Sequence, residues 1–174
     1  MQNTQLDSSK FLSEQEDLAL DKLLALATCS ESLMLSLLRK YGMRTNELLR
    51  LRPCDFNRDS RTIRVSGSKG SNSRELPLDD ELFERLDKEA SMQILDDGQI
   101  FPITRFRLFH IWHKWRPCKK KLHSLRHTCA VNLYRKTKDI KLVQKVLGHK
   151  SISNTMIYMD FVYSQDELRK ALVG

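Results

Sequence analysis

The sequence predicts an α+β domain, mostly helical with a small antiparallel sheet, and three observations carry that prediction. Apolar residues recur at helical spacing through most of the 174 residues, and a capping box, Ser13 to Glu16, opens the first such run. One segment breaks the pattern: Arg61-Thr62-Ile63-Arg64-Val65 alternates and is β-branched. Arg74-Glu75-Leu76-Pro77-Leu78 answers it across a Gly/Ser-rich turn, Gly67 to Asn72, which together make a β-hairpin. No internal repeat or linker divides the chain, and its length suits one domain with a real core.

In order, residues 1–12 read as a polar leader and residues 13–174 as the domain. Leu18, Leu20, Leu23, Leu24 and Ala27 mark a first helix. Ser32 to Lys40 carries Leu33, Leu35, Leu37 and Leu38 nearly all round, so it reads as a buried helix. Gly42 can take a left-handed turn, and Arg44 then starts a short helix that Pro53 stops. Pro77 suits a sheet edge. Asp79 and Asp80 cap the next helix, Asp97-Gly98 turns the chain, and Thr104 to Lys114 is helical with Phe106, Leu108, Phe109 and Trp112. A helix begins at His123, and a second amphipathic run buries Leu142, Val143, Val146 and Leu147. Gln165 to Leu172 forms a short terminal helix.

Apolar content of 40% and charged content of 30% are those of a globular protein. No apolar run approaches the ~20 residues of a membrane span, and MQNTQLDSSK contains no signal-peptide core. The expectation is a cytoplasmic protein with no membrane partner, and four scattered cysteines suit a reducing compartment. Net charge is +8, but residues 101–150 hold fourteen Lys or Arg against Asp139 alone. A basic field confined to one part of a domain points to a polyanion, with nucleic acid leading. His110, His113, Cys118, His123, His127 and Cys129 crowd one region, yet their spacings match no paired zinc pattern, so no metal is expected.

The chemistry concentrates between Lys121 and Asp160. His123, Arg126 and His127 open it; Leu147-Gly148-His149 follows, then Tyr158 nine residues later. Arg forks onto phosphate oxygens, His donates a hydrogen bond or moves a proton, and Tyr supplies a nucleophilic oxygen. Arg44, at a helix start with Glu47 three residues on, is a ready phosphate clamp that Glu47 can fix. Lys69, at the hairpin tip, can reach DNA and protonate a leaving oxygen. Bland alternatives stand beside these. Tyr134 and Tyr163 rival Tyr158 but lack its spacing. Either arginine could be a structural ion pair, although Arg126 has no acid nearby in sequence. His127 is expected to pack or cap beside the site. Arg116, Lys119, Lys120, Lys121 and Lys150 are expected to contact a DNA backbone.

Four segments, G-M-R-T-N-E-L-L-R-L around Arg44, S-K-G-S-N-S-R-E-L-P-L around Lys69, H-S-L-R-H-T-C-A around Arg126 and L-G-H-K-S-I-S-N-T-M-I-Y ending at Tyr158, together resemble the tyrosine recombinase (phage integrase) catalytic domain. The resemblance implies that Tyr158 attacks the scissile phosphate of double-stranded DNA, forming a 3′-phosphotyrosyl link and a free 5′-hydroxyl. It assigns charge stabilisation to Arg44, Arg126 and His149, the general acid to Lys69, proton transfer at the nucleophile to His123, and support of the first arginine to Glu47. No metal or cofactor is implied, because the phosphotyrosine conserves the bond energy. The implied biology is site-specific recombination by a mobile or chromosomal element. The implied assembly is a homotetramer on DNA, monomeric in solution, with accessory DNA-bending proteins and with Ser164–Gly174 as the segment exchanged between neighbours. Fuller members carry a separate N-terminal DNA-clamping domain for which this chain has no room, so a catalytic fragment or a compact member is expected. Asp160 departs from the His that often follows the tyrosine by two. The rivals are a type IB topoisomerase and a non-catalytic DNA-binding regulator; the complete set of site residues disfavours the latter.

Overall fold

The first helix, α1 (Glu14–Ala25), opens on a reciprocal cap: Ser13 Oγ accepts from the Glu16 N–H, and the Glu16 carboxylate accepts from the Ser13 N–H at 2.7 Å. The computed structural model describes residues 7–67, 70–92, 98–161, 163 and 165–173. Within α1, Leu20 and Leu24 are buried, whereas Leu18 and Leu23 are exposed. The apolar stripe is narrower than the run of leucines because Asp17 faces the next helix, where Arg39 Nε meets its carboxylate at 2.7 Å.

That next helix, α2 (Ser30–Tyr41), starts earlier and ends later than its apolar pattern suggests, and it buries Leu33, Leu35, Leu37 and Leu38. It packs against α1 and against three helices that follow, which makes it the central element. Gly42 ends it with φ +58°. A Cβ at Gly42 would meet Leu147 Cδ2 at 2.7 Å, so the turn and the close approach both require glycine. Arg44 then sits at the N-cap of α3 (Thr45–Leu49).

The sheet has three antiparallel strands in the order β1 (Phe56–Asn57), β2 (Thr62–Val65), β3 (Arg74–Pro77). The predicted hairpin is β2 and β3; β1 is too short to show any alternation. Register pairs Ile63 with Leu76 and Val65 with Arg74, and all four side chains lie buried on one face. Pro77 ends the edge strand, where its missing N–H breaks no ladder bond. Asp79 then caps α4 (Asp80–Met92), accepting from the Leu82 N–H at 3.1 Å. Asp97, in the expected turn before Gly98, lies outside the described residues.

Thr104 caps α5 (Arg105–Trp115), which buries Leu108, Ile111 and Trp112 while Phe106 stays exposed. The chain continues through α6 (Ser124–Thr137), α7 (Ile140–Leu147), α8 (Ser153–Met156), a 3-10 turn at Met159–Phe161 and α9 (Gln165–Val173). Two apolar clusters result. The main one surrounds α2; a smaller one gathers Phe11, Ala130, Val131, Tyr134, Val143, Leu147 and Tyr158. Phe11 and Leu12, assigned above to a polar leader, are therefore buried, and the Leu12 N–H donates to Thr128 Oγ1 at 2.8 Å. The body of the domain begins before Ser13. Among the described residues no helix is long and apolar enough to cross a membrane.

Candidate active site

Arg126 lies in the first turn of α6, 2% exposed, with its guanidinium forked between two helix ends. Nη1 donates to the Gly42 carbonyl that closes α2, and Nη2 donates to the Leu147 carbonyl at the end of α7 at 2.8 Å. Helix C-termini carry partial negative charge, so the cation is welcome there. Burial and the nearby Arg44 lower its pKa to about 10, which leaves it charged at neutral pH.

Glu47 links the arginines. Its carboxylate is buried; Oε2 accepts from the Arg44 N–H and from Arg74 Nη2, each at 2.9 Å, and Arg126 Nη1 stands 3.9 Å away. Oε1 accepts from Ser71 Oγ at 3.0 Å and from Arg44 Nη1 at 3.3 Å. Burial alone would raise this carboxyl, but the Arg74 hydrogen bond and charge outweigh it and hold it at about 2. Arg44 is the most accessible of the three arginines and borders an open groove with Thr45, Asn46, Arg105 and His123.

His149 is brought in by Gly148, which ends α7 at φ +71° and where a Cβ would meet Asn72 O at 2.7 Å. The Asn72 N–H donates to the Gly148 carbonyl at 2.7 Å, so the hairpin is stitched to the histidine loop. His149 Nδ1 lies 2.8 Å from Thr155 Oγ1. Burial, then Arg126, Arg44 and Arg74, push its pKa down to about 3, so the imidazole is neutral at pH 7. The Thr155 hydroxyl can donate to Nδ1; in that arrangement the ring proton is on Nε2 and His149 is a neutral hydrogen-bond donor.

Tyr158 is 2% exposed within the smaller cluster, and its hydroxyl lies 3.0 Å from His127 Nδ1. Burial raises the phenol to about 12 although Arg126 and Arg44 pull it down. His127 is held neutral, at about 4, by burial and by His123 and Arg126. The nucleophile candidate is thus a protonated phenol able to donate to a neutral imidazole. Tyr163 is exposed and Tyr134 is buried in the smaller cluster away from this hydrogen bond.

These positions can be set beside known proteins. The Phage integrase family model matches residues 10–164. The chain belongs to the phage integrase family. A tyrosine recombinase of Pseudothermotoga lettingae is 34% identical over 152 residues, covering 80% of this chain and 53% of the relative. Tyrosine recombinase XerA of Pyrococcus furiosus is 27% identical, with 86% and 56% covered. The chain spans about half the length of the curated relatives it matches. The crystal structure of XerH site-specific recombinase bound to difH substrate, a pre-cleavage complex, superposes with TM-score 0.70 at 26% identity, covering 95% of this chain and 53% of that one. The catalytic domain of bacteriophage HP1 integrase shares the fold, with TM-score 0.65, 23% identity and 94% of each chain covered.

Within this integrase-family domain the structure rearranges several sequence expectations. His127, not His123, reaches Tyr158; His123 is exposed and stacks edge-on against His127 at 4.8 Å. One helical turn separates the two rings, and residue 127 is the one that faces the smaller cluster. Arg126 does have an acid close by, Glu47, which the sequence places far upstream. Lys120 does not face outward: Nζ donates to the Phe11 carbonyl at 2.7 Å and meets Glu16 at 2.6 Å, tying the start of the domain down. Arg116, Lys119 and Lys121 line a groove together with His123, and Lys150, next in sequence to His149, is exposed. Lys69 lies outside the described residues. Arg74, Ser71 and Thr155 were not foreseen. Arg74 alone left a signal, since strand alternation puts it on the face of Leu76. Among the described residues no group of three or more His, Cys, Asp or Glu could hold a metal.

Proposed function

We propose that this domain breaks and rejoins double-stranded DNA in site-specific recombination, with Tyr158 as the nucleophile. The observation that carries the reading is the meeting of Arg44 and Arg126 across one buried Glu47, within electrostatic reach of both His149 and the Tyr158 phenol. The guanidinia would hold the non-bridging oxygens of the scissile phosphate, and His149 Nε2–H would donate to the same oxygens. Tyr158 O would attack phosphorus as its proton leaves toward the histidine side, His127 being its present hydrogen-bond partner and His123 the next ring along. The P–O5′ bond would break, and the 5′-oxygen would take a proton from Lys69, the role its place in the hairpin motif implies. The product is a 3′-phosphotyrosine, from which a second 5′-hydroxyl displaces Tyr158 and restores the phenol. Phosphodiester count is conserved, so this scheme uses no metal or nucleotide cofactor.

Arg116, Lys119, Lys121 and Lys150 would follow the DNA backbone on either side of the site. A tetramer on two duplexes, accessory DNA-bending proteins and a place in the cytoplasm belong to the same proposal. Incubation with supercoiled plasmid in EDTA at low salt, followed by an SDS quench, tests it. Relaxed DNA and a protein–DNA adduct are expected from the wild type and from Tyr163→Phe, and neither from Tyr158→Phe. Binding to DNA with no adduct on plasmid or on a recombination-site duplex would favour the regulator reading instead.

A further inference from the structure

Glu47 is surrounded by more positive charge than it can neutralise. Three arginines approach one carboxylate, yet the two proposed to hold DNA phosphate are its weaker partners: Arg44 Nη1 at 3.3 Å and Arg126 Nη1 at 3.9 Å. The strong contact, 2.9 Å to Oε2, comes from Arg74 on the edge strand β3. Arg74 is 7% exposed, and its Nε and Nη1 are buried with no hydrogen-bond partner among the described residues. Burying an arginine with two idle donors is a poor way to gain stability, so its position calls for another explanation.

We propose that Arg74 is a positioning residue: by occupying Glu47 Oε2 it keeps the carboxylate from capturing Arg126, leaving that guanidinium for the DNA phosphate. The inference rests on the recombinase reading of the site. Without Arg74, the 3.9 Å gap between Arg126 and Glu47 is small enough to close, and a carboxylate in that position competes directly with a phosphate. Arg74 also supplies one of the three positive charges around a single negative one, so its loss halves the surplus that faces an anion. The base of the hairpin assists, because Ser71 Oγ takes Oε1 and the Asn72 N–H fixes the Gly148 carbonyl beside His149.

The test is a double-mutant cycle on Glu47 and Arg74. Arg74→Gln should slow single-turnover adduct formation by about 100-fold, with DNA affinity changed less than about threefold. Arg74→Lys keeps the charge and should lose less than about tenfold. Adding Glu47→Gln to Arg74→Gln removes the competing carboxylate, so the double variant should regain about tenfold over Arg74→Gln and stand within about tenfold of Glu47→Gln. A merely structural Arg74 would give multiplying losses that follow the melting temperatures, which overturns the proposal. Should Arg74→Gln fail to fold, the double variant against Glu47→Gln still decides: a further drop of about 100-fold overturns it. Inorganic phosphate titrated against the His149 imidazole resonances reads the same site without chemistry. Binding should weaken about tenfold in Arg74→Gln and recover in the double variant. Phosphate binding that follows this pattern in a protein that never forms an adduct would retain the Arg74 role and reject the recombinase reading. Adduct formation with no coupling would do the reverse.

Discussion

Arg126 and Tyr158 are equally inaccessible, at 2% each, yet they are held by different means. The arginine is fixed from two sides by helix-end carbonyls, and behind it Glu47, Arg74 and Ser71 form a bonded block. Among the described residues the tyrosine hydroxyl has a single hydrogen bond, to His127, and its chain segment follows a four-residue helix and enters a 3-10 turn. That turn is held from outside: Phe161 packs edge-on against Phe11 with centroids 5.0 Å apart, and its carbonyl accepts from Arg135 Nε at 2.9 Å. The side proposed to hold phosphate is thus built in advance, whereas the proposed nucleophile is held protonated in an apolar cluster. With the phenol raised to about 12 by burial, the proposed attack would require it to lose its proton.

The largest effect is expected at the arginine. Arg126→Lys keeps a charge but loses the fork, and each helix-end carbonyl left unpaired costs ~1–3 kcal/mol. Adduct formation should fall by at least about 100-fold, measured on DNA that wild type cleaves, and the melting temperature should drop as well. Gly42→Ala attacks the same block indirectly. The new Cβ would meet Leu147 Cδ2 at 2.7 Å at a positive φ, for a cost of about 1–3 kcal/mol. Because the Gly42 carbonyl holds Arg126, adduct formation should fall about tenfold in step with stability.

Phe161→Ala sharpens the contrast from the other side. Losing this partly buried ring should cost about 1–3 kcal/mol in a urea melt, yet adduct formation at 25 °C should hold or rise, because the tyrosine turn is freed. A loss as large as that of Gly42→Ala would mean that the tyrosine is as preset as the arginine. A further test is pH. His149 and His127 are neutral in the folded chain, at about 3 and about 4, while an exposed histidine titrates near 6.5. The unfolded chain therefore binds more protons between those values, so stability is full above pH 6.5 and is lost as pH falls toward 4 and then 3. Urea midpoints between pH 7 and pH 4 should show the fall, and His149→Gln should flatten it.

Much of this was legible in the chain. Local rules recovered what is local: the Ser13 cap, the hairpin from alternation and a Gly/Ser turn, and the α5 start from Thr104. Motif order singles out Arg44, Arg126, His149 and Tyr158, the residues proposed to act together, because few other patterns need that set of side chains. What escaped depends on tertiary contact. Which of two histidines one turn apart meets Tyr158 is decided by how α6 rotates against the smaller cluster. Lys120 looked like a free cation until the fold brought Phe11 and Glu16 to it. Phe11 itself sat in a polar context that concealed an anchor, and the two-residue strand β1 was too short for a periodicity to form. Arg74 was readable in principle, as an inward position on β3, but an arginine on an inward face carries no chemical label until its partner is known.

The proposed chemistry joins DNA to Tyr158, and the residue that carries the DNA can be mapped. The wild-type adduct on a duplex bearing a nick near the cleavage position, digested with nuclease and protease, should yield one modified peptide with its phosphate on Tyr158. A phosphate found on Tyr163 or Tyr134, or an adduct that persists in Tyr158→Phe, would rule out Tyr158 as the nucleophile.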